Sequence, residues 1–100
     1  MKFVIKNNKE NILNIARKIG YIFQAKNPAR SELVFIRPLE RGGYPRFHLY
    51  IKENLENQEL IFNLHLDQKR PIYKGAPAHA GEYEGNVVKA EAERIKRILR

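Results

Sequence analysis

Arg46-Phe47-His48-Leu49-Tyr50-Ile51-Lys52 and Glu59-Leu60-Ile61-Phe62-Asn63-Leu64-His65-Leu66-Asp67 decide the fold, because apolar and polar residues alternate through both. A period of two is the signature of a strand with one buried face. Phe47, Leu49 and Ile51 share one face of the first strand, and Leu60, Phe62, Leu64 and Leu66 share one face of the second. The connection Leu55-Glu56-Asn57-Gln58 has the length of a hairpin loop. Both apolar sets must reach the same core, which restricts the register to pairings that keep the faces together. A four-residue loop then sets Leu49 opposite Leu64, His48 opposite His65, Tyr50 opposite Asn63 and Arg46 opposite Asp67. The polar face of the hairpin therefore carries two histidines, a tyrosine, an arginine, an asparagine and an aspartate.

Upstream, Leu33-Val34-Phe35-Ile36 and Tyr21-Ile22-Phe23-Gln24-Ala25 are short runs rich in aromatic and β-branched residues. With the turn signal Asn27-Pro28 between them, they read as two more strands. Before these, Ile12, Ile15, Ala16 and Ile19 fall at the spacing of one helix face. Asn7 with Glu10 reads as a capping box at its start, Gly20 as its stop, and Arg17 and Lys18 complement the dipole of its last turn. Lys2 to Lys6 can add a leading strand. Downstream, residues 68 to 84 show no periodicity, and a helix from about Asn86 carries Val88, Ala92, Ile95 and Leu99 on one face.

Strands joined by short connections favour an antiparallel meander, and two amphipathic helices favour covering one side of it. The expected fold class is α+β, a two-layer sandwich. It has an antiparallel sheet of four strands, or five with Lys2–Lys6, and both helices on one face, in the order α-β-β-β-β-α. That element order resembles the plan of double-stranded-RNA-binding domains and of small toxin endoribonucleases, a likeness of order without a shared motif.

One hundred residues, 43% hydrophobic and 30% charged, suit one domain over residues 1–100 with enough apolar surface for a core. The absence of cysteine excludes disulfide scaffolds, thiolate zinc sites and thiol nucleophiles. No run is long enough to span a membrane, and Met1 to Lys6 is too short and polar for a signal peptide, so no membrane partner and a cytoplasmic location are expected.

Nineteen Lys and Arg against eleven Asp and Glu give a net charge of +8. The connection from Arg37 to Arg46 holds Arg41, Gly42-Gly43 and Tyr44, and the hairpin geometry puts Lys69 and Arg70 at the same end as Arg46. Positive charge beside aromatic rings is the footprint of phosphate-backbone binding. The expected ligand is nucleic acid, RNA or single strands, held by Arg37, Arg41, Arg46, Lys69, Arg70 and Lys74, with Tyr44 and Tyr50 for stacking. Gly42-Gly43 reads as a turn requirement, since no Walker or GxGxxG motif occurs. Lys89, Arg94, Lys96, Arg97 and Arg100 make the last helix basic, but Glu91 and Glu93 at helical spacing make it read as a solvated face.

Two alternatives accompany this reading. His48 and His65, with His79 folding over from the long connection, suit acid–base catalysis in a small phosphodiesterase or ribonuclease. The same histidines with Asp67 can be read as metal ligands. They are scattered and lack any HExxH spacing, so no metal and no cofactor are assigned. The remaining alternative is an interaction module that meets an acidic protein partner or forms a homodimer.

Overall fold

The computed structural model describes residues 1–7, 9–68, 81–82 and 85–100. Its elements run β1 (Lys2–Lys6), α1 (Ile12–Lys18), β2 (Ile22–Asn27), β3 (Glu32–Pro38), β4 (Arg46–Asn54), β5 (Glu59–Asp67), β6 (Gly81–Glu82) and α2 (Asn86–Leu99). The strands form one antiparallel sheet ordered β1-β5-β4-β3-β2, with the two-residue β6 also pairing β5. This is the expected α+β sandwich, with Lys2–Lys6 present as the fifth strand and β6 added. No helix among the described residues is long and apolar enough to cross a membrane.

The hairpin has the expected register: His48 faces His65, Leu49 faces Leu64, Tyr50 faces Asn63 and Arg46 faces Asp67. Its loop is closed by Gln58 in the left-handed region (φ 54°). β1 lies along the other side of β5, pairing Phe3 with Phe62 and Ile5 with Leu60, so it joins the same apolar face. The Phe3 and Phe62 rings stack with centroids 5.1 Å apart. On that face Phe35, Leu49, Ile51, Leu60, Phe62 and Leu64 are fully buried under Ile15 and Ala16 of α1, Ile19 at its C-cap, and Val88, Ala92 and Ile95 of α2.

Two expectations at the helices need correction. The cap of α1 is Asn11, whose side chain accepts from the backbone N–H of Leu13 (2.8 Å) and Asn14 (3.4 Å). Asn7 instead accepts from the N–H of Glu10 at 2.9 Å, a turn that leads into the helix and leaves the Glu10 carboxylate paired with Lys18. Gly20 does end the helix, at φ 85°, where any side chain would be strained.

The second correction concerns α2. Glu91 does not belong to a solvated face: it is 5% exposed and accepts from the Tyr21 hydroxyl at 2.7 Å. Arg94 donates to both its oxygens, through Nε at 2.7 Å and Nη2 at 2.9 Å, and also to the carbonyl of Ile19. Arg37 reaches the same carboxylate at 3.4 Å. One buried acid thus ties α2 to β3 and to the end of α1. Burial, with the hydrogen bond to Glu91 behind it, pushes the Tyr21 phenol well above its ordinary pKa. The same carboxylate holds Arg94 more firmly protonated than usual.

Candidate functional site

The sheet face away from the helices carries the polar residues. Across its strands run short rows set by the register. One row holds Asp67 and Arg46, and the next holds His65, His48, Ile36 and Ile22. Beside these lies a row of Lys2, Asn63, Tyr50 and Val34. His65 and Asp67 project the same way because they are two apart on β5, and His48 meets them from β4.

The three side chains converge on one carboxylate. His48 Nδ1 lies 3.2 Å from Asp67 Oδ2, and His65 Nε2 lies 3.1 Å from Asp67 Oδ1. The imidazole centroids are 4.9 Å apart, and Tyr50 stacks on His48 at 4.9 Å and on His65 at 5.8 Å. His65 is 6% exposed and Asp67 8%, as inaccessible as core residues although they project from the helix-free face. Buried charge needs partners, yet Arg46 supplies only a loose one. Its Nε stays 3.9 Å from Asp67 Oδ2, and its guanidinium lies over the Tyr44 ring, 4.4 Å from the centroid.

A residue outside the sequence-derived set completes the cluster. Gln24 Oε1 lies 3.1 Å from His48 Nε2. The β2–β3 register shifts between Phe23 and Ala25, so Gln24 is the extra residue of a β-bulge. Alternation from Ile22 puts Gln24 on the His48 side of the sheet, and the bulge leaves it between the His48 and Tyr50 rows, while Phe23 keeps its ring against Phe35 on the core side.

The structure sorts the expected phosphate-binding residues. Tyr44 and Arg46 come together, and Arg41 is exposed on the turn before them, where Gly43 adopts φ 87° and donates its N–H to the carbonyl of Glu40. Arg37 is separated from them, because it alternates with Arg46 across the pleat and its head group pairs with Glu91 on the helix side. Tyr50 lies among the histidines. Lys69, Arg70, Lys74 and His79 lie outside the described residues.

Comparison with known proteins returns no match: no family model, no curated protein and no solved structure corresponds to this chain. The likeness in element order to double-stranded-RNA-binding domains and toxin endoribonucleases thus finds no counterpart.

Proposed function

We propose that the protein binds RNA, as single strands, through the Arg41–Arg46 connection and the adjoining helix-free sheet face, in the cytoplasm. The observation that carries this reading is the Arg46 guanidinium held 4.4 Å over the Tyr44 ring, after a turn that exposes Arg41, in a chain of net charge +8. A stacked guanidinium keeps its edge for phosphate while the ring beside it offers a surface to a base. Lys2, in the row of Tyr50, adds an exposed cation to the same face.

The test is fluorescence anisotropy with a labelled mixed-sequence RNA strand over a range of salt. Binding should weaken as salt rises, and Arg41→Gln with Arg46→Gln should flatten the slope of log K against log[salt] by about 1.4, two contacts at roughly 0.7 each. Arg37→Gln should leave that slope unchanged. No binding at low salt refutes the proposal, and self-association or capture of an acidic protein without RNA affinity moves the reading to an interaction module.

A second reading, cleavage of that RNA with His48 and His65 moving protons, is favoured by the carboxylate they share. Turnover of an oligonucleotide that disappears in His48→Ala supports it. Binding without turnover removes it and leaves the first reading in place.

A further inference from the structure

The geometry points to a divalent transition-metal site, of the zinc class, formed by His48, His65 and Asp67. Each of the three offers a ligand atom, and the three atoms lie within 4.8 Å of one another. Metal–ligand bonds of about 2.0–2.2 Å place neighbouring ligands of a tetrahedral ion about 3.3 Å apart. Each imidazole already has this spacing to one oxygen of the shared carboxylate, His48 Nδ1 to Oδ2 at 3.2 Å and His65 Nε2 to Oδ1 at 3.1 Å. A shift of about 1.5 Å in one ring brings even a 4.8 Å separation to this spacing.

The hydrogen-bond pattern asks for a cation at this point. Gln24 Oε1 is an acceptor 3.1 Å from His48 Nε2, so Nε2 carries the hydrogen. With that hydrogen on Nε2, the 3.2 Å contact between Nδ1 and Asp67 Oδ2 needs either a second ring proton or a metal cation between the two atoms. Asp67 Oδ1 is buried without a hydrogen-bond partner among the described residues, although His65 Nε2 is 3.1 Å away. Arg46 does not relieve the carboxylate, since its own Nε is buried and also lacks a hydrogen-bond partner among them. A divalent ion between the two imidazoles and the carboxylate satisfies all of these lone pairs together. Gln24 then holds His48 by the nitrogen away from the ion, the usual task of an outer hydrogen-bond partner at a metal site.

The donor set names the class of ion. Two imidazoles with one carboxylate suit zinc, cobalt, nickel or iron(II), whereas magnesium and calcium take oxygen ligands. Three protein ligands leave one position open for water or a substrate oxygen. Ion binding at this cluster does not depend on the RNA reading. It does compete with proton transfer by the same nitrogens.

The experiment titrates chelator-treated protein with ZnCl2 by calorimetry, and with CoCl2 followed by visible absorbance, with MgCl2 as control. One ion per chain is expected, with a Tm that climbs with zinc concentration and no response to magnesium. Asp67→Asn and His48→Ala should each weaken zinc binding at least tenfold, and Gln24→Leu by 10–100-fold, the usual span for an outer partner. His48 is only half-buried, so His48→Ala keeps the test available if a change at buried Asp67 unfolds the chain, which circular dichroism reports. Absence of saturable zinc binding overturns the inference, as does zinc affinity unchanged in His48→Ala. A Gln24 amide turned by 180° gives the first result, because His48 then has an Nδ1 proton for Asp67.

Discussion

Replacing Glu91 by Ala should be among the most damaging single changes at a charged residue of α2, although the sequence presents it as one more charged helix residue. Its carboxylate accepts four hydrogen bonds or ion pairs, from Tyr21, twice from Arg94, and from Arg37, and its side chain is 4% exposed. Removing one partner of a buried ion pair costs about 3–5 kcal/mol, because the remaining groups stay desolvated. Here the cationic side chains are 28% and 33% exposed and can recover water, so the low end applies, about 3 kcal/mol. For a domain of this size each kcal/mol moves Tm by about 4–8 °C, so the expected fall is about 12–24 °C. Tyr21→Phe should cost about 1 kcal/mol, the net value of one buried hydrogen bond. The double variant should then cost less than the sum, since the hydroxyl has nothing to lose once its acceptor is gone. Glu93→Ala is the control, two residues away on the same helix with its side chain 63% exposed, and should stay within about 0.5 kcal/mol. The chain has no tryptophan, so urea melts followed by far-UV circular dichroism are the assay. Equal midpoints for Glu91→Ala and Glu93→Ala would refute the buried-anchor account.

The strand faces and the buried phenol supply two further expectations. Leu64→Ala, fully buried beneath the helices, should cost about 2–5 kcal/mol, and Asn63→Ala, on the other face, under about 0.5; equal losses in a denaturant melt would reverse the faces. Because the folded Tyr21 keeps its proton above the unfolded value near 10, its contribution is complete below pH 10. It should then decline by at most about 1.4 kcal/mol per pH unit as the pH rises further. Tyr21→Phe should remove that alkaline component, and an unchanged pH dependence of stability between pH 9 and 11 would exclude it.

The hairpin was legible because its alternation is strict over both strands and its loop is short, so face and partner followed from parity alone. β5 and the start of α2 fall at the residues expected. Parity assigns a face but not a depth: it put His48, His65 and Asp67 together without revealing that two of them are as buried as core residues. Four asparagines between Asn7 and Asn14 offer several caps, and the one that wins depends on where the chain leaves β1. Glu91 was read from its own helix, where an i,i+3 arginine looks like a surface pair. Its acceptor role depends on Tyr21, seventy residues earlier. Gln24 was out of reach for a related reason. A bulge is a property of two strands in register, and β2, exposed over most of its length, carries no periodicity to betray it.

That bulge has a consequence beyond His48. β2 is the outermost strand, with Ile22 60% and Phe23 48% exposed, and its outer backbone groups are a ready template for another chain. An uninterrupted ladder of six residues with such side chains would invite fibril-like addition of one molecule to the next. The extra residue breaks the ladder into Ile22–Phe23 and Ala25–Asn27, each too short to recruit a partner, and Lys26 adds charge to the second piece. Colloidal behaviour and the orientation of an imidazole therefore hang on the same insertion. Shortening β2 by one residue at Gln24 would straighten the rim and release His48 together.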